Sequence, residues 1–354
     1  MTYKETLLFI GKCLTISHEE KNKRIVEKQL KSELIDWDLV VEVSTEHCVF
    51  SALYCNLKRA DFLHYLPEEL VNYMIYITDL NRERNQQIIA QAKEINELLL
   101  ANNITPIFLK GTGNLLEDLY EDIGERMLGD IDFLVSPKKI NSTNELLLKA
   151  GYKNNTSQLQ LHSSHRHLPR LTKDDRIGAI EIHRSLLKGK SESQFSYTKI
   201  IKTCIKKRAI TCLSYENQLI HVILTKQINN NDYKLNEVSL KSVYDIFLMS
   251  KKIITLKAIN VFPHFFKYTN SYLAISSFIL NNPKTVIYKS DKKTLKKLNT
   301  FVFLLDNENY HTIRYRILKS YLFVKRALST VFGAFFNKSD REFVFSRILN
   351  LKRR

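Results

Sequence analysis

Two stretches, Ile107-Phe-Leu-Lys-Gly-Thr-Gly113 and Gly129-Asp-Ile-Asp-Phe-Leu-Val135, decide the fold of this chain. In the first, an apolar run leads into a turn containing glycine, which predicts a strand followed by a helix. In the second, Asp130 and Asp132 alternate with apolar residues, so on a strand both carboxylates project from the same face. Carboxylates held side by side repel one another unless a cation lies between them. The pair therefore indicates a cation site.

The segments around this centre predict further strands and helices. Residues 136–151 predict a helix, with proline in its first turn and glycine at its end. Two strands are expected at about residues 165–171 and at Ala179-Ile-Glu-Ile-His183, joined by a polar turn at 173–176. Apolar residues recur at helical spacing on both sides of this region, for example over residues 81–100. We therefore predict an α+β fold, in which a small mixed sheet with helices is flanked by helical N- and C-terminal regions.

The size of the chain allows several regions. Its 354 residues are 44% apolar, and only 9 Gly and 6 Pro are present, which favours a large core and mostly helical structure. We predict four regions: a helical N-terminal region (1–100), a sheet-containing core (101–190), a helical region packed on that core (191–260), and a basic, aromatic-rich helical C-terminal region (261–354).

Positive charge is concentrated near the C-terminus. The net charge of +17 divides into −4 over residues 1–100, +5 over 101–250 and +16 over 251–354. Aromatic and basic residues also alternate in the last hundred residues. This asymmetry predicts an anionic partner, either RNA or a membrane surface. The other interpretation is a solvated basic face produced by a composition rich in Lys, Asn and Ile, because charge alone is a weak signal.

Three features of the sequence predict the compartment. No run of eighteen apolar residues occurs, so no transmembrane helix is expected. The N-terminus lacks the layout of a signal peptide. The five cysteines are odd in number and scattered, which favours reduced thiols and a cytoplasmic location.

Five motifs follow one another along the chain: Leu109-Lys-Gly111, Arg126, Gly129-Asp-Ile-Asp-Phe-Leu-Val135, His167-Leu168 and Ile180-Glu-Ile-His-Arg184. In this order they resemble the nucleotidyltransferase superfamily, which has a polymerase-β-like fold. More narrowly, the chain resembles a bacterial family of uncharacterised nucleotidyltransferases. Tyr244-Asp245 on a later helix also fits that family. The resemblance covers roughly residues 30–260 and leaves the basic tail uncovered.

The resemblance implies an enzyme that depends on Mg²⁺, or Mn²⁺, and moves an NMP from an NTP such as ATP onto a hydroxyl or phosphate acceptor. Asp130, Asp132 and Glu181 would be its catalytic carboxylates and metal ligands. Mg²⁺ accepts protein carboxylates together with phosphate oxygens and water, so these residue types suit the task. Glu181 would supply the third carboxylate from a neighbouring strand.

The same resemblance implies a nucleotide-binding set made of Lys110, Gly111, Thr112 and Arg126. Backbone amides and the Thr112 hydroxyl at a helix N-terminus would hold the β- and γ-phosphates. Lys110 either contacts phosphate or lies on the surface at the strand end. Arg126 either clamps a phosphate or substrate anion, or forms a salt bridge to one of the aspartates.

Four histidines, His162, His165, His167 and His183, form a second cluster in the sequence. Their spacing could suit zinc, but no cysteine or acid completes a ligand set. We expect His167 and His183 to contact the metal ligands or the substrate, and the others to be ordinary histidines of an exposed hairpin.

The acceptor stays open at the level of sequence. The basic tail suits RNA, including tRNA ends, and it equally suits peripheral contact with anionic lipid; a small-molecule acceptor is a further option. Two other classes of protein also fit. One is a non-catalytic nucleotide-binding protein with the same fold. The other is a metal-dependent glycosyltransferase that uses Asp130-Ile-Asp132, although no longer βαβ nucleotide domain precedes the motif.

Overall fold

The N-terminal region consists of helices. The computed structural model describes residues 1–32, 34–154, 166–338, 341–342 and 344–345. Its first five α-helices are α1 (Tyr3–Cys13), α2 (Glu20–Leu30), α3 (Trp37–Glu46), α4 (Phe50–Arg59) and α5 (Glu68–Ala101). The last of these has 34 residues and is about 50 Å long at 1.5 Å per residue.

A mixed sheet follows α5. Its strands are β1 (Ile107–Phe108), β2 (Asp130–Leu134), β3 (Lys153–Asn154), β4 (Leu171–Thr172), β5 (Ala179–His183), β6 (Ile205–Lys207) and β7 (Ile210–Cys212). The strand order is β3-β4-β5-β2-β1-β7-β6. The β2–β5 and β1–β7 pairs are parallel, and the other pairs are antiparallel. The hairpin β6–β7 extends the sheet into residues 191–260, where the sequence predicted only helices.

Helices surround the sheet and form most of the rest of the described residues. They are α6 (Lys110–Leu116), α7 (Ile140–Lys149), α8 (Tyr197–Ile200), α9 (Tyr215–Leu224), α10 (Asp232–Leu235), α11 (Leu240–Ser250), α12 (Thr255–Asn260), α13 (Phe266–Ile279), α14 (Lys292–Asp306) and α15 (Glu308–Phe336). Shorter 3₁₀ or π segments lie at Leu63–Tyr65, Ile123–Glu125, Pro137–Lys139, Gly189–Gln194, Ile201–Thr203, Thr225–Asn229 and Pro263–Phe265. The predicted α+β class with helical flanks is confirmed.

The interior contains two hydrophobic cores. The larger joins helices from both ends of the chain, including α1, α4, α9, α11 and α13. The smaller lies under the sheet, where Ile131 and Phe133 of β2 meet Ile180 and Ile182 of β5, all fully buried. The C-terminal half of α5 covers this face of the sheet. The alternation of β2 thus leaves its aspartates on the opposite face.

The structure bears on two of the predictions about the compartment, those concerning transmembrane helices and cysteines. In the described part of the chain, no helix combines the length and the apolarity needed to cross a bilayer. The five cysteines form no disulfide, and three of them are buried. The cytoplasmic location stays a prediction.

Candidate metal and nucleotide site

The register between β2 and β5 brings the predicted carboxylates together. The two strands are parallel, with Asp132 opposite Glu181 and Leu134 opposite His183. Since side chains alternate along a strand, Asp130, Asp132, Glu181 and His183 share the face that points away from the smaller core. The isoleucines beside Glu181 are fully buried on the other face. The fold therefore places the third carboxylate on the neighbouring strand, where the family resemblance requires it.

Three of these side chains form a compact group of donor atoms. His183 Nε2 lies 2.8 Å from Asp132 Oδ1 and 3.5 Å from Glu181 Oε2. The ligand atoms of Asp132, Glu181 and His183 all lie within 4.8 Å of one another, and all three residues are buried. Within the ranges that the structure describes, no other His, Cys, Asp and Glu side chains converge in this way. Two carboxylates and one imidazole suit a divalent cation.

Two basic side chains balance the negative charge at this face. Lys110 Nζ lies 2.5 Å from Asp132 Oδ1 and 3.6 Å from Glu181 Oε2. Arg170 bridges the remaining oxygens: its Nη2 lies 2.6 Å from Asp130 Oδ2 and its Nε lies 2.8 Å from Glu181 Oε1. These contacts explain how three carboxylates come to lie side by side.

The backbone of Lys110 is held in an unusual conformation. Its φ is +52°, in the left-handed region that L-residues other than Asn and Asp seldom adopt. Lys110 is the first residue of α6, directly after β1. Such strain persists only where the surrounding structure fixes it, and it concentrates at functional sites. The conformation directs the lysine side chain back onto Asp132.

The carboxylates differ in their tendency to hold a proton. Burial raises the pKa of Asp130, repulsion from Glu181 raises it further, and Arg170 offsets part of the shift. Burial alone would also raise the pKa of Glu181. However, the hydrogen bond from His183 and the charge of Lys110 outweigh burial, so the pKa of Glu181 lies below its ordinary value. Asp130 therefore takes up a proton more readily than Glu181 does.

The two described histidines of the predicted cluster lie at the same face. Their ring centroids are 5.4 Å apart, and His167 pairs with His183 as an isolated antiparallel bridge. His167 Nε2 lies 3.9 Å from Glu181 Oε1. Both histidines thus lie beside the carboxylates, and a role for them in contacting metal ligands or substrate stays a prediction. His162 and His165, and the part of the predicted strand that contains His165, lie outside the described residues.

The predicted phosphate-binding turn is tightly packed. Thr112 is 1% exposed, and its hydroxyl donates a hydrogen bond to the carbonyl oxygen of Asp130 at 3.0 Å. A Cβ on Gly111 would lie 2.3 Å from Leu128 Cδ2. Thr112 therefore fastens α6 to β2, and a side chain at position 111 would require Leu128 to move. Phosphate binding by this turn stays a prediction.

Arg126 forms its salt bridge with Asp245, and the predicted alternative of a salt bridge to Asp130 or Asp132 is wrong; phosphate binding by Arg126 stays a prediction. Its Nη2 lies 3.0 Å from Asp245 Oδ2, and its Nε donates to the Tyr120 hydroxyl at 3.1 Å. The Tyr120 hydroxyl in turn donates to Asp245 Oδ1 at 2.7 Å. All three residues are buried. The guanidinium thus links the loop before β2 to α11, and it forms no salt bridge with Asp130 or Asp132.

Sequence reasoning missed Arg170. The predicted hairpin turn at residues 173–176 carried part of the signal. Counting back from that turn pairs Arg170 with Ala179, which predicts the correct face of the sheet but a register two residues away from the observed one. In the structure Leu171 pairs with Ile180, so Arg170 falls next to Glu181.

Comparison with known proteins agrees with this geometry. The family model described as uncharacterised nucleotidyltransferase matches residues 33–259, more than half of the 354-residue chain. No curated protein and no solved structure matches the chain. The matched segment contains β1, β2 and β5, and with them Asp130, Asp132, Glu181 and His183. The chain therefore belongs to the family of uncharacterised nucleotidyltransferases.

Proposed function

We propose that the protein is a nucleotidyltransferase that uses Mg²⁺, or Mn²⁺, to move an NMP from an NTP onto a hydroxyl or phosphate acceptor. Family membership supports nucleotidyl transfer and an NTP substrate. The observation that carries the metal dependence is the convergence of Asp132, Glu181 and His183, whose ligand atoms lie within 4.8 Å of one another.

The donor set fits a hard divalent cation. Carboxylate oxygens are the protein ligands that Mg²⁺ prefers, and Mn²⁺ also accepts an imidazole nitrogen. Asp130, Asp132 and Glu181 would hold the metal. When bound, it would neutralise the charge of the triphosphate and lower the pKa of the attacking hydroxyl.

The surrounding residues prepare these carboxylates for binding. His183 orients Asp132 through the 2.8 Å contact with Oδ1, because the imidazole is itself buried and cannot swing away. Lys110 and Arg170 keep Glu181 ionised by placing positive charge on both of its oxygens. Asp130 is the carboxylate whose pKa is raised, mainly by burial. A divalent cation bound to Asp130 would hold this carboxylate in its ionised form.

Lys110 is our candidate to bind the NTP. Its ammonium balances Asp132 and Glu181 in the structure. A divalent cation on those carboxylates would replace that positive charge and leave the ammonium to bind a phosphate oxygen. Lys110 would thus alternate between the carboxylates and the nucleotide.

The rival functions differ in what supports them. A non-catalytic nucleotide-binding protein would keep the same carboxylates, so only turnover separates it from an enzyme. The glycosyltransferase alternative would be favoured by aspartates on a doubly wound parallel sheet. The aspartates lie instead on a mixed seven-stranded sheet, which does not favour it.

Incubation of the full chain with each labelled NTP, Mg²⁺ or Mn²⁺, and separate pools of RNA and small molecules tests the proposal. We expect a labelled product that needs the metal and falls at least about 100-fold in Asp132→Asn and Glu181→Gln. Asp174→Asn is the matched control, because that carboxylate is 87% exposed and pairs with Lys153 on the protein surface. A product that persists in both site variants would refute the metal assignment. Tight NTP binding without turnover on any acceptor would favour the non-catalytic protein.

A further inference from the structure

Helix α15 presents a broad apolar face to solvent. None of its 29 residues is buried. The large apolar side chains that share one face are each at least 49% exposed: Tyr310, Ile313, Ile317, Tyr321, Val324, Leu328, Val331, Phe332 and Phe335. At 100° per residue they fall within an arc of about 100°, the width of a stripe that normally faces a core. We call these nine residues the apolar stripe.

Basic residues occupy the remaining sides of the same helix. Lys319 and Arg326 lie opposite the apolar stripe, and Arg314 and Lys325 lie along its border. Arg316 lies to one side of the stripe, where Phe323 is also exposed. The only acid within α15 is Glu308, at its first position. A cationic helix with Phe, Leu and Val on one face has the composition of helices that lie in the plane of a membrane interface.

A basic pocket lies beside the first half of α15. It has a volume of about 780 Å³ and is bordered by α10, α13, α14 and α15. Its lining includes six cationic side chains: Lys234, Lys267, Lys293, Lys296, Lys297 and Arg314. In the described parts of the chain, none of the six forms an ion pair with a carboxylate. Asp291 is the only acid that lines the pocket, and its carboxylate accepts a hydrogen bond from the Thr294 amide at the start of α14.

Six cationic side chains face one carboxylate, that of Asp291, in this pocket, so most of the positive charge is uncompensated by the described residues. Arg314 donates to the carbonyl oxygens of Lys234 and Leu235, which carry no charge. Lys297 contacts the Tyr233 carbonyl and the Asn236 side chain, which are also neutral. Burial and the neighbouring Arg314 lower the pKa of Lys297 to about 8. An anion in the pocket would relieve this repulsion.

We propose that this C-terminal surface docks on an anionic lipid bilayer, with the apolar stripe entering the interface and the basic pocket binding lipid phosphates. The pocket and the stripe are continuous, because Tyr321 belongs to both. A bilayer with anionic headgroups complements both parts at once: acyl chains cover the aliphatic residues, and phosphates satisfy the lysines.

Two other partners complement only one part. RNA would satisfy the cations but would leave Ile, Val and Leu of the apolar stripe in water. A second copy of the chain would cover the stripe but would bring two sets of unpaired cations together, and like charges repel. The inference does not depend on the proposed transfer reaction.

Vesicle co-sedimentation of the full chain tests this proposal. The probes are vesicles of phosphatidylcholine alone and vesicles containing about one third phosphatidylglycerol. We expect at least about tenfold stronger binding to the anionic vesicles, weakening as salt is raised. Leu328→Glu should reduce that binding about tenfold or more, because it puts a charge into the apolar stripe. Its matched control is Tyr76→Glu, which changes an apolar side chain on α5 that is 60% exposed.

The pocket has its own variant and control. Lys296→Glu should weaken binding to anionic vesicles and flatten its salt dependence. Lys206→Glu, the same change at an exposed lysine of β6, should bind as the wild type does. Failure of the wild type to bind anionic vesicles would overturn the proposal. Binding to single-stranded RNA, or a dimer detected by light scattering, would then identify the partner of this surface. Unchanged binding by Leu328→Glu would also overturn it. Asp132→Asn should bind vesicles normally, so loss of transfer leaves this test unaffected.

Discussion

The substitution Asp245→Asn should destabilise the protein strongly. In the sequence, Asp245 stood out only because Tyr244-Asp245 fits the family resemblance. The carboxylate is 1% exposed and is the charged partner of Arg126, with Asp245 Oδ2 and Arg126 Nη2 3.0 Å apart. Asparagine keeps the shape of the side chain and can still accept the hydrogen bond from Tyr120. It removes the negative charge, however, and leaves a buried guanidinium uncompensated. Breaking a buried pair in this way reduces the free energy of unfolding by about 3–5 kcal/mol. We expect about 3 kcal/mol, since the asparagine oxygen remains.

Urea unfolding followed by circular dichroism measures this change. A surface pair provides the matched control: Asp118 is 73% exposed and lies 2.7 Å from Lys207 Nζ. The same Asp→Asn change at Asp118 should alter the free energy of unfolding by less than about 1 kcal/mol, because exposed pairs are screened by water and salt. Native proteins have free energies of unfolding of about 5–15 kcal/mol, so a loss of about 3 kcal/mol is easy to detect.

The outcome also decides the role of Arg126. Equal losses for Asp245→Asn and Asp118→Asn would refute the argument that the buried pair holds the fold together. If Arg126 instead binds the nucleotide, Asp245→Asn should change the KM for NTP while the urea midpoint barely moves. A large loss of stability with an unchanged KM in the remaining folded protein would assign Arg126 to the structure.

Three further predictions concern packing, pH and the charges of the site. Gly113→Ala should lower the free energy of unfolding by at least about 2 kcal/mol in urea melts, because the alanine Cβ would lie 2.8 Å from the backbone carbonyl oxygen of Phe108 in β1. Gly129→Ala is the control and should change the free energy of unfolding little, because a Cβ at that position would have no atom within 4 Å. Burial raises the pKa of Asp232 to about 7, so folding takes up a proton between about pH 4 and pH 7, and stability falls as pH rises through that window. Asp232→Asn should remove this fall and gain up to about 4 kcal/mol at pH 8, and a melt series that keeps the wild-type pH slope would contradict the assignment. Arg170→Ala should raise the pKa of Asp130 further in the metal-free protein, because it removes the guanidinium that pairs with this carboxylate. Titration of Asp130 by NMR measures this change, and an unchanged pKa would argue against the pair.

The clustering of Asp130, Asp132 and Glu181 could be predicted, because it depends on the two-residue alternation of side chains along a strand. Alternation along β2 and β5 is enough to put Asp132 and Glu181 on one face once the two strands are adjacent. Their adjacency came from the family resemblance, and the structure supplies the register. The face on which Arg170 lies could also have been predicted from the hairpin turn, but its register against Glu181 could not, because the observed pairing of Leu171 with Ile180 lies two residues away from the one that the predicted turn implies.

Other features gave no such signal. The β6–β7 hairpin has strands of three residues, and its turn residues Arg208 and Ala209 have φ values of +47° and +66°. Tight hairpin turns of this kind usually carry Asn-Gly or Asp-Gly, so Arg-Ala does not predict one. The partner of Arg126 was equally hidden, because Asp245 lies 119 residues away in the chain and meets it only through tertiary packing.

Helix α5 sets a limit on how this protein can be divided for experiments. Met74, near its start, belongs to the larger core, whereas Ile88, Ile95 and Leu99 cover the underside of the sheet. A fragment that began at residue 101 would expose that underside and would be expected to aggregate. Because one rigid rod serves both cores, we expect them to melt in a single cooperative step. Truncated forms of the protein made for crystallisation or for domain swaps should therefore keep the whole of α5 with the sheet.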